Sequence, residues 1–262
     1  MQRYSKIHAK IPREILLLKS LPCLYGKCSF CNYILDNSIS LEEIQSVNAE
    51  IIQQITGEYG VVEILNSGSV FELPQVVLDA IKLKIEQQQV QVLYFEVYYG
   101  YRKRLAEIRQ FFPNQEIRYR IGIETFDDEF RARVLNKPFS TANLADLGEK
   151  FYACCLLICV QGQTRAQILN DIALARANFK EITLNVFINN GTAVLRNDAL
   201  VAWFVQEIYP ALQNEPNIEI LIDNKDIHKI FSNDLYKNMS MIQQNVFMFD
   251  DSIKENIKLF AN

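Results

Sequence analysis

The sequence predicts an α/β fold, a partial barrel of six βα repeats left open on one side. Three observations carry this. Short β-branched runs alternate with longer stretches whose apolar residues recur every three and four positions, as strands alternating with amphipathic helices require. The chain of 262 residues, 49% apolar, can bury one large core. No linker rich in Gly, Ser or Pro divides it, and only Gln87-Gln88-Gln89 has low complexity. Six repeats fall short of the eight that close a barrel, so ligands should gather at the carboxyl ends of an unclosed sheet.

The elements follow in order. A first strand over Glu14 to Lys19 runs into a cysteine-bearing loop, then a helix whose inner stripe is Leu41, Ile44, Val47, Ile51, Ile52 and Ile55. Strands over Val61 to Leu65, Val90 to Val97, Ile117 to Ile123, Tyr152 to Cys159 and Glu181 to Ile188 come next. Their partner helices are Leu73 to Glu86, Tyr101 to Phe112, Phe126 to Asn136, Arg165 to Phe179 and Asp198 to Leu212. One more strand, Ile218 to Ile222, and a helical tail from about Asp250 to Phe260 complete the chain. The barrel thus occupies residues 1–212, and residues 213–262 form a C-terminal extension packed on it.

Charge and composition narrow the function classes. With 27 basic against 31 acidic side chains, net −4, the chain has no global field to attract nucleic acid or an anionic membrane. No apolar run reaches the roughly 20 residues of a membrane span, and Met1-Gln2-Arg3-Tyr4-Ser5-Lys6 lacks the core of a signal peptide. A cytoplasmic protein is expected, in which six cysteines are free thiols or metal ligands rather than disulfides.

Three thiols fall within nine residues, Cys23-Leu24-Tyr25-Gly26-Lys27-Cys28-Ser29-Phe30-Cys31, on the rim where ligands should gather. Structural zinc and most iron–sulfur clusters take four protein ligands, so this set leaves one position open to a group that is not protein. His8 and His228, the two histidines, are expected at the surface or in packing. Cys154, Cys155 and Cys159 lie in an apolar strand; neighbours on a strand face opposite ways, so they are expected in the core rather than on a second metal.

The cysteine triplet after the first strand, with Phe30 before its last member, resembles the radical S-adenosylmethionine (SAM) superfamily. Its first spacing is four residues where the superfamily's commonest is three. The resemblance implies a TIM-like partial barrel of radical SAM type. Cys23, Cys28 and Cys31 would hold a 4Fe-4S cluster whose open iron binds SAM, which one electron cleaves to a 5′-deoxyadenosyl radical. An external electron donor such as flavodoxin or ferredoxin is implied too. SAM contacts would come from Phe30, from Ser67, Gly68 and Ser69 after the second strand, from Glu124 after the fourth, and from Asn185 on the sixth.

A narrower resemblance joins Cys28-Ser29-Phe30-Cys31-Asn32-Tyr33, Ser67-Gly68-Ser69, Gly122-Ile123-Glu124-Thr125 with Arg131 and Asn136-Lys137, and Asn185-Val186 with Gly191-Thr192. It covers residues 14–195 and is similar to the branch that contains queuine lyases and the radical subunit of archaeosine synthase. A tRNA enzyme needs a basic surface or an added domain, and neither is evident, which disfavours direct tRNA binding. The resemblance therefore implies a lyase that releases the queuine base from a small nucleotide, queuosine 5′-phosphate. Tyr33, Asp36, Glu96, Tyr98 and Arg131 are the candidate substrate contacts, with Arg102-Lys103-Arg104, Arg118 and Arg120 as further cations for a phosphate. Modification of tRNA with a partner subunit, or a non-catalytic SAM- or metal-binding module, are the alternatives.

Overall fold

A computed structural model describes residues 3–8, 10–222 and 225–226. Its strands are β1 (Tyr4–Ile7), β2 (Arg13–Leu18), β3 (Val61–Asn66), β4 (Val92–Glu96), β5 (Glu116–Glu124), β6 (Ala153–Ile158), β7 (Glu181–Val186), β8 (Ile218–Ile222) and β9 (Lys225–Asp226). The helices are α1 (Leu41–Ile52), α2 (Gln75–Gln87), α3 (Leu105–Phe111), α4 (Asp128–Arg133), α5 (Leu144–Lys150), α6 (Arg165–Asn178), α7 (Asp198–Trp203) and α8 (Tyr209–Leu212). One sheet takes the strands in chain order, parallel from β2 to β8, with antiparallel β1 and β9 at its edges. The six expected repeats are β2 to β7, and the additional strand joins them as β8.

Helices cover one face of this sheet. Leu16, Leu18, Ile64, Phe95, Ile121, Cys154 and Leu184 are buried there, each gaining on the order of 1.5–3 kcal/mol for a large apolar side chain. The helix starts are capped as their sequences allow: the Ser40 side chain accepts from Glu43 N–H and Thr164 from Gln167 N–H, each satisfying an otherwise orphaned donor.

The concave face is polar. Arg13 Nε on β2 lies 2.5 Å from Glu63 on β3, while its Nη1 and Nη2 donate to Glu219 on β8 at 2.7 and 2.8 Å. Arg120 on β5 adds a 2.7 Å contact to Glu63. The first and last parallel strands can share one guanidinium only if the sheet curls, so this network spans the interior of a half-barrel near the amino ends of its strands.

Several local expectations change. β1 lacks a long apolar pattern and forms by edge pairing, Tyr4 opposite Leu16. The helix expected over Phe126 to Asn136 is shorter, ending before Asn136 adopts a left-handed backbone with φ 46°; α5 follows where no helix was expected. The helix expected over Asp198 to Leu212 contains a π turn, Phe204–Ile208, between α7 and α8. Cys154 and Cys159 are core, but Cys155 is not: it pairs with Gly122 and Thr183 on the concave face and is partly open. His8 is exposed; His228 and the expected helical tail lie outside the described residues.

Candidate active site at the carboxyl ends of the strands

The cysteine loop leaves β2 at the carboxyl rim, where three other strand connections pin it. Leu24 N–H donates to the Glu72 carboxylate at 3.0 Å after β3. Ser29 N–H donates to Leu135 O at 3.0 Å, and Asn136 Nδ2 to Lys27 O at 2.7 Å, after β5. Asn190 Nδ2 donates to Phe30 O at 2.8 Å after β7. Gly26 sits at φ +58° with Cys23 O 3.3 Å from where a Cβ would stand, so the turn between the first two cysteines requires glycine. A cavity of about 540 Å³ opens beside Cys23, lined also by Ile34, Asn37 and Ile39.

All three thiols are free and partly exposed. Burial pushes Cys28 up to about 12; Lys137 opposes this, while Glu124, Cys31 and Cys23 add to it. Burial also raises Cys31, against backbone N–H groups of Tyr33 and Ile34, with Cys23 contributing. The thiols thus share one electrostatic neighbourhood. Among the described residues no three ligating groups converge on a single ion. Three soft sulfur ligands on one loop suit iron–sulfur chemistry.

Across from the loop, Ser67 and Ser69 are buried, and Ser67 Oγ and O both accept from Asn37 Nδ2 at 2.8 Å. Gly68, between them, is partly open, so the turn presents this glycine and its backbone. Asn66, buried at the end of β3, donates from Nδ2 to Ser69 O at 2.9 Å and so shapes the turn, while its Oδ1 has no hydrogen-bond partner among the described residues. Phe30 packs on Phe130, Leu135, Leu157, Val160, Phe187 and Val194, so it braces the loop from below.

Glu124 ends β5 at φ 66° after a bulge, a conformation costing about 1–3 kcal/mol that the surroundings enforce. Lys137 Nζ holds it, donating to Glu124 Oε1 at 2.6 Å and to Gly122 O at 2.8 Å. Burial works against the Lys137 ammonium, yet Glu124, Cys28 and Glu96 together raise its pKa. Glu96 closes β4 facing the interior. Burial raises its carboxyl to about 7, with Arg120 opposing and Glu63 and Glu124 assisting. Tyr33 is 51% exposed, and its pKa is raised by partial burial and then by Glu96, Cys31 and Cys155. Asn185 shares the concave face with Leu157 and is partly open.

The other candidates have partners within the protein. Asp36 is bonded bidentately to Arg3 at 2.9 and 2.5 Å, anchoring the loop to the N-terminal segment. Arg131 is wholly buried, its Nη1 and Nη2 donating to the carbonyls of Thr125 and Phe139 and to Asp128 while its Nε has no partner among the described residues, so it braces the β5 loop. Tyr98 stacks on Tyr25 of the cysteine loop at 5.6 Å. Of the further cations, Arg118 pairs with Glu116 near the opposite end of the barrel, Arg120 belongs to the buried network, Arg102 lies over Tyr99 and Arg104 pairs with Glu107.

No family profile and no curated protein matches the chain. Among solved structures, a queuine lyase from Clostridium spiroforme bound to SAM and queuine superposes with a TM-score of 0.81 at 42% identity, over 84% of this chain and 95% of that one. The chain belongs to the queuine lyase family of radical SAM enzymes. As a member of that family it is an enzyme that uses a 4Fe-4S cluster and SAM, on a small nucleotide-type substrate. A cobalamin-dependent SAM radical enzyme also aligns, at 14% identity and a TM-score of 0.32 over 94% of this chain and 31% of that one, too low a similarity to carry an argument. Among the described residues no helix is long and apolar enough to cross a membrane. Lys137, Glu72 and Asn190 join this rim although sequence reasoning gave them no role; Lys137 stood inside a quoted motif, whereas Glu72 and Asn190 gave no local signal.

Proposed function

We propose that this protein is a queuine lyase that releases the queuine base from queuosine 5′-phosphate by 5′-deoxyadenosyl radical chemistry, in queuosine salvage. The observation that carries the reading is the 42% identity, over 95% of its length, to an enzyme holding SAM and queuine. In this reading Cys23, Cys28 and Cys31 ligate the cluster, which supplies the electron for SAM cleavage. The raised pKa values of Cys28 and Cys31 mean that loading must expel protons. Gly68 and the neighbouring backbone would receive the amino-acid end of SAM, and Lys137 fixes Glu124 for a second contact. Phe30 braces the loop, and Asn185 lies below it. Glu96 on the concave face, with Tyr33 beside it, would meet the base. A carboxyl poised near neutrality there accepts hydrogen bonds from the amino and ring N–H groups of a deazaguanine, and a phenol adds a second polar contact. An external electron donor such as flavodoxin or ferredoxin completes the system. Free thiols in every described cysteine support a cytoplasmic setting, and the net charge of −4 supports a free nucleotide over tRNA.

The test is anaerobic incubation of reconstituted, reduced protein with SAM and queuosine 5′-phosphate. Queuine and 5′-deoxyadenosine should both form. A cluster-loaded protein that cleaves SAM but yields no queuine from the nucleotide overturns the substrate, and product only from tRNA would favour the RNA-directed alternative.

A further inference from the structure

We propose that Glu72 is a positioning residue that sets the cysteine loop in register with the turn after β3. The inference rests on the reading above, in which the loop holds the cluster and that turn receives SAM. Glu72 ends the short turn Val70–Glu72 and is 5% exposed. Its Oε1 accepts from Leu24 N–H at 3.0 Å, one residue after Cys23, and its Oε2 accepts from Ser69 N–H. The Tyr101 hydroxyl bonds the same carboxylate, and Tyr101 is itself stacked on Phe71 at 4.7 Å. The Glu72 carbonyl accepts from Leu21 N–H at 3.1 Å. Backbone on both sides of Cys23 therefore hangs on the residue that also fixes the turn. Gly68 lies against it, since a Cβ there would stand 3.0 Å from Oε2.

The chemistry of the contact makes it specific. Both backbone partners are donors, so two acceptor oxygens are needed, and a carboxylate supplies them with charge assistance. Glutamine has one acceptor oxygen, and its amide would point a donor at a donor. Glu72→Gln thus preserves volume and breaks the clamp. The thiols retain their other loop anchors at Leu135, Asn136 and Asn190. Cluster assembly should therefore survive, while SAM, which must reach the open iron and the turn together, loses its fit.

The experiment compares wild type, Glu72→Gln and Tyr101→Phe after anaerobic reconstitution. Iron content and melting temperature are measured first, then SAM affinity from the change in the electron paramagnetic resonance spectrum of the reduced cluster. Glu72→Gln should keep wild-type iron while binding SAM about 10-fold to about 100-fold more weakly, as loss of a charge-assisted bond allows. KM for SAM should rise more than kcat falls, and Tyr101→Phe should shift affinity less, in the same direction. Iron-loaded Glu72→Gln with wild-type SAM affinity and spectrum overturns the role. If Glu72→Gln loses iron, fully loaded Tyr101→Phe decides: unchanged SAM affinity overturns the role and weakened affinity supports it. A wild-type spectrum that does not respond to SAM overturns the site assignment first, and the inference with it.

Discussion

Cys28 and Cys154 are the same residue type in opposite situations. Cys28 sits on a rim loop beside Lys137 and two other thiols, whereas Cys154 is fully buried on the helix-facing side of β6. Cys28→Ala should abolish iron loading and the visible absorption of the cluster with little change in melting temperature; Cys154→Ala should leave loading intact and lower stability through a small cavity. Glu96 supplies a prediction in pH. Its folded pKa is raised from 4.5 to about 7, so the folded state binds a proton more tightly than the unfolded state. The stabilising contribution is complete below about 4.5 and is lost as pH rises through about 7. Melting temperatures of wild type and Glu96→Gln should therefore diverge between about pH 5 and about pH 8, the variant becoming relatively more stable; parallel curves would contradict this environment. These residue types were visible in the sequence, but their exposure was not. Cys154 and Cys155 are adjacent, and only the pairing of β6 with its neighbours decides which one enters the interior.

At the level of elements, single polar residues tie strands to loops. Gly122 on β5 leaves room for the pair beside it, since a Cβ there would stand 2.5 Å from Glu124 Oε1 and 2.7 Å from Lys137 Nζ. Both obstacles are flexible side-chain ends, so Gly122→Ala should displace the pair without unfolding the barrel. We expect retained iron and SAM affinity weakened several-fold in a titration. Glu14 on β2 joins three segments: it accepts from Thr56, Gly57 and Glu58 N–H at 2.8, 2.7 and 3.2 Å after α1, and from the Tyr4 hydroxyl of β1 at 2.6 Å. Glu14→Gln should cost about 2 kcal/mol in chemical denaturation, because one amide oxygen cannot replace a buried carboxylate that accepts four hydrogen bonds. The alternation of strands and helices was legible because apolar periodicity is local. β1 was not, because an edge strand with partly exposed residues on both faces has no such period.

For the molecule as a whole, the half-barrel is fastened across its interior by Arg13, Glu63, Arg120 and Glu219. Arg13→Met leaves Glu63 and Glu219 short of a buried counter-charge and should cost about 3–5 kcal/mol of unfolding free energy, whereas replacing the whole network by apolar residues should cost much less. A loss under about 1 kcal/mol for Arg13→Met would mean that water or another cation compensates. The sequence by itself determined the α/β class, the order of the βα repeats and the position of the three-thiol loop on the carboxyl rim, because these depend on local periodicity and spacing. It also carried the family resemblance, through residues close together in short motifs. The tertiary structure alone decided that Arg131 and Asp36 brace loops, that Lys137 holds Glu124, and that Glu72 reaches from one strand end to the cysteine loop. Those contacts join residues distant in the chain, and only the curl of the sheet brings them within hydrogen-bonding distance.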